Sequence, residues 1–171
     1  MNKLTTSEIC NLDAEEGYIK LCNTIEASKD AYVVVNTAAR SGNGMLKHGG
    51  ILTDTAKELK RELIMLWPIN RQRDSLELLS EFLDIAEGYK ATYAVKNTYF
   101  GEPTKFARYD NSKTKTRVTG TVVFPELNDL LADKINDSRW SLSNAEGLSI
   151  AERSVLQRYR NAIKEAFEGI V

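Results

Sequence analysis

Polar side chains follow three short apolar runs of this sequence, and these side chains are well suited to binding a ligand. Asn36 and Thr37 follow the first run, Asn70 the second, and Asn97 the third. The side-chain amide of Asn97 carries both a donor and an acceptor, so it can read the edge of a purine base. A turn residue that follows the strand is the alternative for Asn97. The sequence leaves both interpretations open.

Two stretches place arginine where an anion could bind. The first has a flexible backbone, and the second lies at the start of a predicted helix. Residues 36–44 hold two glycines and Arg40, and glycine lets backbone N–H groups turn toward a phosphate. The stretch lacks P-loop spacing, so a flexible connection is the alternative. Arg71 and Arg73 precede a predicted helix, whose N-terminus favours an anion. A helix capped by Asp74, with solvated arginines beside it, explains the same residues.

The polar segment 98–118 mixes basic with aromatic side chains, and a loop with a short helix is predicted there. This mixture is typical of surfaces that hold single strands or a phosphate backbone. A solvated helix face explains the same charges. The nucleic-acid candidates are Lys105, Arg108, Lys113, Lys115 and Arg117.

Composition excludes several classes of protein. The 23 basic and 24 acidic residues leave a net charge of -1, so no overall basic field attracts nucleic acid. Cys10 and Cys22 form neither a disulfide framework nor a metal motif, and His48 is the single histidine. No nucleophile, base or metal constellation is present, so no catalytic or metal residue is predicted. The sequence shows no apolar leader or membrane-length run, and a cytoplasmic protein without a membrane partner is expected.

Alternating helices and buried strands must position these side chains. The fold class predicted is α/β, a mostly parallel sheet flanked by helices, in a single domain over residues 1–171. In such sheets ligands bind beyond the carboxyl ends of the strands. Strands are predicted over 31–35, 63–67, 91–95 and 121–124, the second closed by Pro68 and the last by Pro125. Helices are predicted over 13–27 (capped by Asp13), 51–61, from Asp74, around 127–135 and from Ser149, with 38–50 as a loop.

The order and spacing of four stretches carry a resemblance to a known family. They read AYVVVNTA at 31–38, LWPINRQRDSL at 66–76, VKN at 95–97 and FPEL at 124–127. Together they resemble the later part of the ParA/MinD (CobQ/CobB/MinD/ParA) group of P-loop ATPases. The closest likeness is to ParA-like nucleotide-binding proteins of bacterial plasmids, found near partition and conjugative-transfer genes. The resemblance implies that Asn97 contacts adenine and that Pro125 lies beside the base.

Two departures from the family pattern weaken the implied chemistry. The sequence has no G-x-x-x-x-G-K-[ST] motif, and Asn36 stands where the family carries the Walker B aspartate. The resemblance therefore implies an incomplete P-loop domain without its N-terminal Walker A part. ATP and magnesium are expected only if the phosphate loop is supplied elsewhere. The nucleotide-binding candidates are Asn36, Thr37, Arg40, Asn70, Asn97 and Pro125.

Three functions are compatible with these observations. The leading hypothesis is a truncated ParA-like nucleotide-binding protein, related to plasmid partition or conjugative-transfer ATPases, with little or no ATP hydrolysis by itself. The alternative is a non-enzymatic interaction module that docks a second copy or another protein through an exposed sheet edge or helix faces. A weak association with DNA through the basic segment is the third.

Overall fold

A computed structural model describes residues 7–29, 31–37, 42–85, 87–143 and 146–170. Helices alternate with strands along the second half of the chain. In chain order the elements are α1 (Glu15–Ala27), α2 (Gly42–Glu58), β1 (Ile64–Ile69), α3 (Arg73–Ile85), β2 (Ala91–Asn97), α4 (Ala107–Asp110), β3 (Gly120–Phe124), α5 (Asp129–Asp137) and α6 (Ile150–Ala166). Short 3₁₀ turns at Thr98–Phe100, Pro103–Phe106 and Lys113–Thr116 surround α4.

The three strands form a parallel sheet in the order β1-β2-β3, which confirms the predicted α/β class. β2 pairs with β3 so that Tyr93 lies opposite Gly120 and Asn97 opposite Phe124. Five of the seven residues of β2 are buried. This continuous burial is expected of a central parallel strand covered on both faces. The described residues thus hold three of the four predicted strands.

Pro68 lies inside β1, although the sequence suggested that it closes this strand. Proline has no N–H to donate, so within sheets it is confined to edges, first residues and bulges. Among the described residues β1 is an edge strand, with β2 on one side only. The missing donor is therefore tolerated, and the strand continues to the buried Ile69.

The chain divides into two compact units. The first comprises Met1–Ile64 and Phe82–Ala91, and the second Met65–Glu81 and Thr92–Val171. In the first unit α1 packs against α2. The apolar face of α1 is buried and consists of Tyr18, Leu21, Cys22 and Ile25. The predicted cap of α1 is wrong, because the N-cap is Ala14 and not Asp13.

Helix α2 begins at Gly42, within the stretch 38–50 that was predicted to be a loop. Gly44 of this helix serves close packing rather than chain reversal. A β-carbon on Gly44 would lie 1.8 Å from the main-chain oxygen of Leu12, and one on Gly17 in α1 would lie 1.8 Å from that of Asn11. Only glycine permits so close a backbone approach. The segment before α1 therefore packs directly against both helices.

The predicted strand over residues 31–35 is wrong: this segment is irregular. Tyr32 is 85% exposed and Val34 is 91% exposed. A β-branched run favours extended backbone, but a strand also needs a neighbour to pair with, and no ladder partner for this run exists among the described residues. Arg61 fixes where the segment starts, because its guanidinium donates to the main-chain oxygens of Lys29 and Ala31.

In the second unit α6 packs on β3, and a helical layer buries its own apolar cluster. This cluster contains Leu131, Ile135, Leu148 and Leu156. The predicted start of α6 is confirmed by a complete capping box between Ser149 and Glu152. The predicted Asp74 cap is wrong, because α3 begins one residue earlier, at Arg73. Leu130 of α5 is 81% exposed.

Candidate strand-end site

The carboxyl ends of the three strands bring three of the predicted site residues to one edge of the sheet. Asn70 follows β1, Asn97 ends β2 and Pro125 follows β3. The strands are adjacent and parallel, so their ends lie at the same edge. A hydrogen bond from the Thr98 hydroxyl to the main-chain oxygen of Phe124, 2.7 Å long, joins the last two ends. This edge, defined by residues 70, 97 and 125, is called the strand-end site below.

Both asparagines of the strand-end site also shape the turns in which they lie. The Asn70 side-chain oxygen accepts the Gln72 N–H at 2.7 Å, and the Asn97 oxygen accepts the Tyr99 N–H at 3.1 Å. The turn-forming alternative is thus realised. Each side-chain Nδ2 group has no partner in the part of the chain that the structure describes, so each amide keeps donors for a ligand.

A small pocket adjoins the strand-end site. It has a volume of about 180 Å³ and is lined by Asn70, Arg71, Gln72 and Phe100. The Phe100 ring is 43% exposed, and its edge meets the ring of Tyr99 at a centroid distance of 5.5 Å. An exposed ring beside a guanidinium suits stacking with a flat base. The pocket therefore offers a planar face, a positive charge and amide donors together.

The remaining nucleotide-binding candidates have no such arrangement. Asn36 and Thr37 are exposed in the first unit, after the irregular segment 31–35. The strand expected to position them is not formed there. Arg40 lies outside the described residues.

Sequence reasoning missed a partly buried ion pair next to Asn97. Lys96 is 7% exposed, and its ammonium nitrogen lies 2.8 Å from both carboxylate oxygens of Asp110. The same nitrogen lies 5.8 Å from the ring centroids of Phe106 and Tyr109. The hydrogen bond from Lys96 holds the pKa of Asp110 below its ordinary value. The available signal was a lysine directly after the predicted buried strand 91–95, because a charge at a buried position needs a partner.

Two of the basic side chains in the segment 98–118 are already engaged in contacts within the protein. Lys115 lies 3.3 Å from Asp110, and Arg117 donates to the main-chain and side-chain oxygens of Ser80. These two side chains therefore stabilise local structure. Lys105, Arg108 and Lys113 are exposed, and none forms an ion pair within the described ranges.

The described residues offer little for acid–base or metal chemistry. Burial raises the pKa of Tyr18 to about 12 and also raises those of Tyr89 and Tyr109, which makes them weaker nucleophiles. No group of three or more metal-ligating side chains occurs within the parts described. No helix among them has the length and apolar character needed to cross a bilayer.

The fold defines an α/β protein with a three-stranded parallel sheet flanked by helices. A curated relative, protein MobD of Acidithiobacillus ferrooxidans, is 42% identical over 172 residues, which cover 98% of this chain and 75% of the relative. The chain therefore belongs to the MobD family. No protein-family model matches the sequence, and no solved structure matches it.

Proposed function

We propose that this chain is a plasmid mobilization protein on a ParA-like scaffold, one that binds an adenine nucleotide at the strand-end site and hydrolyses little or no ATP alone. The relationship to MobD supports the plasmid-related part. The observation that carries the nucleotide part is the meeting of Asn70, Asn97 and Pro125 at the carboxyl edge of a parallel sheet. Ligands of open α/β sheets bind at such edges.

The sequence lacks groups that ATP hydrolysis needs, and this supports nucleotide binding without hydrolysis. The sequence has no G-x-x-x-x-G-K-[ST] loop to cradle the phosphates, and among the described residues the segment 31–35 before Asn36 forms no strand that could position a magnesium ligand. Base recognition needs neither group, because amide donors and an exposed ring suffice for it. The proposed role is therefore to sense or hold a nucleotide, with the phosphate machinery supplied by another chain when hydrolysis occurs.

The test is calorimetric titration of ATP and ADP with magnesium, together with a phosphate-release assay. Asn97→Asp keeps the oxygen that accepts the Tyr99 N–H but removes the Nδ2 donor. We expect this variant to bind ATP about tenfold more weakly, the usual effect of one lost hydrogen bond. Asn128→Asp adds the same charge and keeps the cap of α5, so it is the matched control and should bind normally.

Three results would overturn this proposal. Turnover comparable to that of complete P-loop ATPases would show that the phosphate loop is not needed. If the Asn97→Asp and Asn128→Asp variants bound ATP with equal affinity, the proposed contact between Asn97 and the base would be excluded. The absence of any nucleotide binding by the unmodified chain would exclude it as well.

A second candidate function is a non-enzymatic interaction module. The exposed apolar side chains of Tyr32 and Val34 favour it, because large apolar groups on a surface commonly mark contact sites. Sedimentation velocity over a range of concentrations tests for a second copy. Association that weakens in Tyr32→Ser would support the module, and a monomer at every concentration would exclude self-association.

A further inference from the structure

An open depression on the second unit lies between α3 on one side and α4 with the segment that follows it on the other. Its volume is about 390 Å³. Helix α3 contributes Arg73, Leu76 and Glu77, and the other wall contributes Arg108 and Thr114. The depression is lined by other residues than the strand-end site and its pocket, so the function proposed above does not account for it.

One hydroxyl in this depression has no partner although its residue is almost entirely buried. Thr114 is 8% exposed, and its side chain makes no hydrogen bond within the described residues. No fully buried side-chain oxygen among these residues lacks a partner, so the Thr114 hydroxyl must reach the solvent. Because Thr114 lines the depression, its hydroxyl is available to a molecule bound there.

The charges of the depression favour an anion. Arg73 donates from Nε to Glu77 at 2.6 Å, which leaves its terminal NH₂ groups as donors. Arg108 is exposed and forms no ion pair within the ranges described. Two guanidinium groups against one carboxylate leave the depression with an excess positive charge. Guanidinium groups match the oxygens of phosphate in a bidentate geometry.

We propose that this depression binds a phosphate group, held by the guanidinium groups of Arg73 and Arg108 and by the Thr114 hydroxyl. Glu77 opposes the anion and also orients Arg73, so it limits the affinity. The same chemistry is offered by a phosphate monoester and by the phosphodiester backbone of a nucleic acid. The experiment below distinguishes these two sources.

The first arm titrates inorganic phosphate into the full chain at constant ionic strength, followed by backbone amide NMR shifts. We expect saturable shifts around residues 73–80 and 108–114. Arg108→Gln should weaken phosphate binding about tenfold, since hydrogen bonds to charged groups are the strong ones. Lys105→Gln removes the same charge from the same segment outside the depression and should change the affinity little.

Two further variants test the individual contacts. Thr114→Val keeps the shape and removes the hydroxyl, so we expect severalfold weaker phosphate binding in a folded protein. Glu77→Gln removes the opposing charge and should strengthen phosphate binding. The absence of saturable shifts, or equal losses in Arg108→Gln and Lys105→Gln, would overturn the proposal.

The second arm uses a short oligothymidylate. Binding that competes with phosphate and weakens in Arg108→Gln would assign the phosphate to a nucleic-acid backbone. Phosphate binding without oligonucleotide binding would assign it to a monoester. Neither result depends on Asn97, so failure here and failure of nucleotide binding at the strand-end site are separable.

Discussion

Lys96 carries an ammonium group into the most buried strand of the sheet, and the carboxylate of Asp110 makes this burial tolerable. Removing one partner of a buried pair leaves an uncompensated charge and typically costs about 3–5 kcal/mol. We therefore expect Asp110→Asn to lower the free energy of unfolding by about 3 kcal/mol. Lys96→Met removes the charge and keeps most of the volume, so its loss should be smaller. Urea denaturation measures both.

Asp133→Asn is the control for this comparison, because Asp133 is exposed and forms no ion pair in the described residues. Its unfolding free energy should match that of the unmodified chain. A Lys96→Met variant as unstable as Asp110→Asn would show that packing, and not charge compensation, is the main contribution of this pair.

Glu152 makes the stability of the fold depend on pH in the acid range. Hydrogen bonds from Lys134 and from Ser149 lower its pKa from 4.5 to about 2. Because the folded pKa lies below the unfolded one, the carboxylate stabilises the fold above about pH 4.5. This contribution is lost as the pH falls toward about 2. We expect Glu152→Gln to lower the melting temperature at pH 7 and to lose this difference near pH 2.

Glu165→Gln is the matched control for Glu152, since Glu165 is exposed on the same helix and has no side-chain partner among the described residues. Its melting temperature should follow that of the unmodified chain at every pH. A difference between Glu152→Gln and the unmodified chain that persists unchanged at pH 2 would contradict the assigned cause.

At the scale of elements, α2 contains a matched pair of glycines. A β-carbon on Gly44 would overlap the Leu12 oxygen, whereas one on Gly50 meets nothing within 4 Å. Alanine is the better helix former, so we expect Gly50→Ala to raise the free energy of unfolding by about 0.5–1 kcal/mol. Gly44→Ala forces the backbones apart and should lower it by about 1–3 kcal/mol or more. Chemical denaturation with helical circular dichroism measures both; equal changes would contradict the packing role.

Local signals predicted the start of α6 but not the caps of α1 and α3. The capping box at Ser149 and Glu152 involves only neighbouring residues, and the sequence therefore locates the start of α6 correctly. The start of α2 was missed because Gly44 is a glycine for tertiary reasons, which no local pattern reveals. The segment 31–35 failed for a related reason, since strand propensity does not supply a pairing partner.

At the scale of the whole molecule, the exposed run 31–35 should contribute little to stability. The Tyr32 and Val34 side chains are 85% and 91% exposed, so their removal leaves no cavity. We expect Tyr32→Ser and Val34→Ser to change the unfolding free energy by less than about 0.5 kcal/mol, the usual range for such surface changes. Ile25→Ser, in the buried face of α1, is the contrasting variant and should destabilise strongly. A large loss in Val34→Ser, measured by urea denaturation, would show that this side chain is covered.

The candidate site was predictable only in part. Alternating helices and strands predicted a parallel sheet, and parallel strands end at one edge, so residues 70, 97 and 125 were expected together. The Lys96–Asp110 pair and the depression beside α3 were not predicted. Both depend on how the chain folds back over residues 98–118, which spacing along the sequence does not encode.

The enclosure of Lys96 has a consequence for the chemical reactivity of this chain. Its nitrogen is held by a carboxylate beside two aromatic rings, whereas the exposed lysines 105 and 113 stand in solvent. An acylating reagent must reach the amine, and the Lys96 amine is enclosed. Mild acetylation of the folded protein should therefore modify lysines 105 and 113 and leave Lys96 unmodified. In the denatured protein, the peptide that contains Lys96 should be acetylated as well.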